Sequence, residues 1–344
     1  MRTNKFLDTS MLSIRSEVPI LQLISLFRSE LMGGAILGVL IGHILMYTDN
    51  HIMILDFFCR IVHTQGFIFL SGFGLYYSFS RNGNVKDFFM KRLFRLYIPF
   101  FLMALPFFVI VTIKEDQSLS RFVAYMTTMD FWLEGNYYGM WYVAISLFLY
   151  ALYPFLHLYL FGNRKVVLVK GGILFLLMIV IFEWLSFKSY EYWSIICFGV
   201  EKTILFPIGA ICGYFALQNI KIKKVSLFFY FLVMFVALIV FKLVNDKNLF
   251  EHVRVLIGIP LLCLLLDALN SRKYTWIHYS LRWLGSFSLE IYLLHLFIWW
   301  GLGFLTDLSS SIRIMIAIPA TLLVCSHVHQ GIALIESTVK HRDE

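Results

Sequence analysis

Ten runs of apolar residues, each near the roughly 20 that a helix needs to cross the hydrocarbon core of a bilayer, recur through this 344-residue chain. They are Leu31–Thr48, Ile61–Phe79, Leu96–Ile113, Tyr138–Phe161, Val166–Ser186, Ile195–Leu217, Val225–Val244, Val255–Leu269, Trp283–Leu305 and Ile314–Glu336. So many runs cannot share one water-soluble core. The composition agrees, with 60% hydrophobic and only 15% charged residues, where a soluble domain carries about 25% charge. An ordinary soluble enzyme, a disordered protein and a nucleic-acid-binding domain are thereby excluded, despite a net charge of +8. The expected fold is all-α and integral to a membrane: a single bundle of about ten transmembrane helices over residues 31–336, preceded by a segment 1–30 and followed by a tail 337–344. No internal repeat or low-complexity tract interrupts the series, and the connections are short.

Basic residues are retained on the cytoplasmic side of membrane proteins, so the loops set the orientation. With the N-terminus inside, the inner segments hold 20 of the 29 Lys and Arg residues, among them Arg28, Lys91, Arg92 and Arg95. The outer side receives eight, including Arg60, Lys114, Arg121 and Arg313, and Lys202 is left within a span. Both termini are therefore expected in the cytoplasm, and the chain is expected as a multi-pass protein of the inner or plasma membrane. The first apolar run follows a mixed charged segment and lacks a small-residue cleavage site, so no secretory signal is expected. Five cysteines without a CxxC pair read as small buried residues rather than a redox or metal framework.

Ionisable side chains at membrane depth are costly and mark candidate sites. His43 ends the run Gly33-Gly34-Ala35-Ile36-Leu37-Gly38-Val39-Leu40-Ile41-Gly42-His43. Gly34, Gly38 and Gly42 recur every four residues and form a strip where another helix can approach closely, while His43 points away from that strip's centre. Histidine is the side chain best poised to move protons near neutral pH. Arg28 stands 15 residues earlier, about 22 Å down a continuous helix and near the same face. Arg92 and Arg95 are i and i+3, so one face can present both guanidinium groups to phosphate. In the ninth run Ser288, Tyr292 and His295 share a helical face and Glu290 projects elsewhere. His327 and His329 are two apart and face differently, and no metal is expected. Gly72-Phe73-Gly74 follows no strand and is not a dinucleotide fingerprint.

Four blocks in order carry a family resemblance. They are Gly38-Val39-Leu40-Ile41-Gly42-His43; Gly66-Phe67-Ile68-Phe69-Leu70-Ser71-Gly72-Phe73; Phe89-Met90-Lys91-Arg92-Leu93-Phe94-Arg95-Leu96-Tyr97-Ile98-Pro99; and Leu284-Gly285-Ser286-Phe287-Ser288-Leu289-Glu290-Ile291-Tyr292-Leu293-Leu294-His295. With Trp141-Tyr142, they resemble acyltransferase family 3, polytopic membrane enzymes that modify sugars of surface polysaccharides. The family usually places a basic residue about ten positions before the first histidine. Met32 stands near there, and Arg28, one turn earlier, takes the part. Some members are fused to an extracytoplasmic esterase-like domain. Here the sequence reaches Glu344 soon after the last span, so the chain is expected to act alone or with a separate extracytoplasmic or glycan-assembly partner.

The resemblance implies transfer of an acyl group, most simply acetyl, from cytoplasmic acyl-CoA to a hydroxyl of a lipid-linked or surface carbohydrate. Arg28, Arg92 and Arg95 are expected to hold the donor's phosphates, and His43 to serve as general base. Glu290 or His295 would orient His43, and Ser71, Trp141 and Tyr142 would meet substrate, the two aromatic residues by stacking on a sugar. The alternative is a proton-coupled transporter or flippase of a glycolipid, with His43, Glu290 and His295 as a proton relay.

Overall fold

The computed structural model describes residues 19–48, 55, 59, 62–135, 138–220, 224–244 and 247–340. Arg60, Ile61, Lys221 and Lys223, most of the N-terminal segment and residues 341–344 lie outside the described residues. Among the described residues every regular element is helical. A short α1 (Ile20–Leu26) leads into α2 (Arg28–Tyr47), and α3 (Thr64–Asn82) follows. Next come α4 (Val85–Arg92), a π-helical turn (Leu93–Tyr97) and α5 (Ile98–Lys114). Two short helices, α6 (Leu119–Met126) and α7 (Met129–Glu134), precede α8 (Trp141–Leu160) and α9 (Arg164–Lys188). Then α10 (Tyr190–Val200) passes through a 3-10 turn (Glu201–Ile204) into α11 (Leu205–Leu217), followed by α12 (Lys224–Leu243) and α13 (Lys247–Ala268). The chain finishes with α14 (Thr275–Ser286), α15 (Ser288–Leu305) and α16 (Ser310–Lys340).

Nine helical segments among the described residues are long and apolar enough to span a membrane. The 19-residue α3 corresponds to the second apolar run; its polar residues, such as Gln65, Ser71 and Ser78, lower its apolarity, but most of it is buried. It lies against α11, α2 and α8, so neighbouring helices take the place of lipid around it. By contrast α9 and α12 leave their Leu, Val and Phe side chains exposed, the outward face expected of lipid-contacting helices.

Small residues set the closest packing. On α11, Gly209 and Gly213 form a GxxxG step: a Cβ on Gly209 would strike the Phe69 carbonyl of α3, and one on Gly72 of α3 would strike the Phe206 carbonyl. Such steps let backbones approach without a hydrophobic driving force between helices. The glycine strip of α2 is used unevenly. Gly38 abuts the backbone of Cys59, and Gly34 meets only the Leu262 side chain. The tightest contact falls instead on Gly33, against the Leu281 carbonyl of α14, where Gly285 meets the Ser29 carbonyl in return.

Several boundaries depart from the apolar runs. The shortest run, Val255–Leu269, falls on the C-terminal part of the 22-residue α13 and ends one residue beyond it. Its extra turns carry Glu251 and Arg254, which pair with each other, and His252, which bonds the Glu201 carbonyl at 3.1 Å. Paired charges can enter a span that unpaired ones would end. The ninth run is a broken helix: α14 and α15 meet at Phe287, outside helical geometry. Breaks also fall at Phe27 and at the π turn after Arg92. These three breaks border the same cavity.

Candidate functional site

Arg28 is the first residue of α2, and His43 stands 15 positions later, near the other end of the same helix. His43 Nδ1 and His295 Nε2 of α15 lie 2.8 Å apart, with their rings stacked at 5.1 Å. His295 is fully buried, and its Nδ1 lies 2.7 Å from the Ile291 carbonyl one turn back. A carbonyl only accepts, so His295 Nδ1 carries its proton. In a neutral His295 ring Nε2 is then an acceptor, and His43 Nδ1 must donate to it. A neutral His43 is thereby left with the lone pair of its Nε2 as a base. Tyr47, one turn along, flanks the His43 ring at 5.8 Å and stacks on Trp299 at 4.0 Å.

A cavity of about 490 Å³ opens among α2, α3, the α4–α5 break, α8, the α14–α15 break and α16. Arg28, Lys91, Arg92 and Arg95 line it, together with Ser71, Tyr142 and Glu290. The Arg28 guanidinium bonds the Leu70 carbonyl of α3 at 3.3 and 3.4 Å. It occupies the space that a Cβ on Gly74 would need, so Gly74 is a requirement of its position. Met32 lines the same cavity, and Arg28 supplies the cation there from one turn earlier. Arg92 donates to Ser78 Oγ at 2.7 Å and lies over the Phe88 and Tyr150 rings; its buried Nε has no hydrogen-bond partner. The π turn that follows Arg92 contains Arg95, and such turns are frequent at functional sites. Among the described residues no carboxylate pairs with Arg28, Arg92 or Arg95. Three guanidinium groups around one cavity without a paired carboxylate can offer strong charge-assisted donors to an anion.

Glu290 does reach the cavity, contrary to the expectation that it projects elsewhere, because the break at Phe287 opens the first turn of α15 to it. It does not touch His43. Its Oε1 lies 2.6 Å from His329 Nδ1 of α16, so the carboxylate meets a different imidazole, and of Glu290 and His295 it is His295 that meets His43. Tyr142 lines the cavity, with Ser71 beside its hydroxyl. Trp141 stands apart from this group. Only 3% exposed, it packs beneath the Lys202 ammonium and edge-on to Phe198, which leaves no open face for a sugar.

From the sequence His329 is weighed only as half of a metal pair and Gly74 only as part of a Gly-Phe-Gly run, and Tyr150 is not singled out. Tyr150 carried a signal, lying eight residues after Tyr142 and so near the same face of α8. The pairing of His329 with Glu290 had none, since the two are 39 residues apart on different helices.

Comparison with curated proteins and with solved structures finds no match for the chain. A family model described as an acyltransferase domain, that of acyltransferase family 3, matches residues 33–328. That range holds His43, His295, Arg92, Arg95 and Glu290, and it is most of the 344 residues. The chain belongs to acyltransferase family 3.

Proposed function

We propose that this membrane acyltransferase moves a short acyl group, acetyl in the simplest case, from acyl-CoA to a hydroxyl of a lipid-linked or surface carbohydrate. The observation that carries the reading is the His43–His295 pair, whose hydrogen-bond order leaves His43 Nε2 as an acceptor. Arg28, Arg92 and Arg95 hold the donor's phosphates, and the loop bias of basic residues supports a cytoplasmic location for that end of the bundle, in the inner or plasma membrane. About 22 Å of helix separates Arg28 from His43, a span that suits an extended pantetheine arm lying between the phosphates and the thioester.

His43 Nε2 takes the proton of the acceptor hydroxyl as its oxygen attacks the thioester carbonyl. The imidazolium that forms is oriented through Nδ1 by His295, and the Ile291 carbonyl fixes His295 in turn. Collapse of the tetrahedral intermediate breaks the C–S bond, and the proton leaves with CoA as the free thiol. General-base catalysis of this kind contributes about 10²–10⁴-fold. A separate glycan-assembly protein supplies or receives the carbohydrate. The test is mass spectrometry of surface glycans from cells with and without the gene. Loss of an acyl group supports the reading; unchanged acylation with altered glycan export favours a glycolipid transporter.

A further inference from the structure

The cavity does not reach the histidine pair. It ends on Phe67, Tyr142 and Tyr292, and neither His43 nor His295 lines it. The Tyr142 ring lies 5.8 Å from a tilted Phe67 ring and 5.3 Å from Tyr292, edge to face. The Tyr292 ring lies 6.2 Å from that of the fully buried His295. Tyr292 is 3% exposed, and its hydroxyl donates to the Gly139 carbonyl at 2.7 Å. Gly139 has a φ of +77° in the connection before α8, and a Cβ there would strike Leu296, the residue after His295. One tyrosine thus closes the end of the cavity, covers a member of the pair and latches α15 to that connection.

We propose that Tyr292, backed by Tyr142, is a gate between the anion-binding cavity and the histidine pair, and that the space freed when it turns sets the size of the acyl group admitted. The size part rests on the acyltransfer reading above; the gate part does not. With the latch made, the pair is sealed from the cavity. When Tyr292 turns and releases Gly139, an acyl group on its carrier thiol passes into the vacated volume, and the aromatic walls favour a short uncharged chain.

The gate is tested with His295→Cys in the full-length protein, labelled by a negatively charged methanethiosulfonate and quantified at that position by peptide mass spectrometry, so that the native cysteines do not interfere. Adding Tyr292→Ala is expected to raise the labelling rate by about tenfold or more, since it removes the closed state rather than shifting a local opening. Tyr292→Phe keeps the ring and loses only the Gly139 bond, so it should raise the rate by about two- to tenfold. Tyr47→Ala, on the other side of the pair, should leave it unchanged. Equal labelling in all backgrounds, or an equal rise with Tyr47→Ala, overturns the gate. Free CoA that fails to slow labelling in the Tyr292→Ala background overturns the donor reading and leaves the gate standing.

The size filter is read from kcat/KM for acetyl-, butyryl- and hexanoyl-CoA with His295 intact. Tyr292→Ala or Tyr142→Ala should shift the hexanoyl-to-acetyl ratio upward by about tenfold or more, the scale on which pockets discriminate methylenes. A ratio that stays constant while both rates fall overturns it.

Discussion

The Nδ1 of His43 and the Nε2 of His295 lie 2.8 Å apart, although 252 residues separate them in the chain. Because the Ile291 carbonyl takes the other His295 nitrogen, proton direction through the pair is set by backbone geometry. Replacing His295 with Ala should lower acyl transfer by about tenfold or more and leave donor KM near its wild-type value, because His295 positions the base and does not hold the donor. Steady-state rates at varied acyl-CoA make the check; a purely KM effect would contradict it.

The guanidinium groups predict the opposite split. Arg92→Ala removes a cation that already has one hydroxyl partner and lies over two rings. It should raise donor KM by about 10–100-fold, the worth of one charged hydrogen bond at about 1.5–3 kcal/mol. Titration of CoA binding by calorimetry in detergent checks this, and an unchanged affinity would remove Arg92 from the donor site.

Gly74→Ala places a methyl where the Arg28 guanidinium lies. The far end of a flexible side chain can move, so the protein should fold normally but bind donor several-fold more weakly. Gly33→Ala meets the Leu281 backbone, which cannot move in the same way. That variant should lose about 1–3 kcal/mol of stability through overpacking. Thermal unfolding of both purified variants distinguishes the two outcomes.

Glu290→Gln tests which imidazole the carboxylate serves. Since Glu290 meets His329 and not His43, the variant should keep transfer well above that of a His43 substitution while α15 and α16 separate at lower temperature. A loss as deep as that of His43→Ala would place Glu290 in the reacting group after all.

Much of the fold was legible because lipid imposes a one-dimensional rule: a span is a run of apolar residues long enough to cross. The rule is weakest where other helices replace lipid. The α3 helix carries Gln65, Ser71 and Ser78 and is enclosed by its neighbours, and α13 hides Glu251 and Arg254 by pairing them. The breaks at Phe27, Leu93–Tyr97 and Phe287 leave no local mark as clear as an internal proline. For the site, periodicity grouped Ser288 and Tyr292, which line the cavity, with His295, which does not, and charge spacing picked out Arg92 and Arg95, which line it too. Which imidazole meets which partner depends on helix packing across more than 200 residues for His43 and His295. The same lack of tertiary information turned Trp141 into a sugar platform, when its face is covered by Lys202.

The central claim is that His43 is the base for acyl transfer, and it is most directly tested by purified protein in proteoliposomes given labelled acetyl-CoA and a lipid-linked carbohydrate. Wild type should release CoA and label the carbohydrate together. His43→Ala should insert and unfold at the wild-type temperature, bind CoA unchanged and transfer at least about 10²-fold more slowly. Transfer by His43→Ala at the wild-type rate would contradict the account.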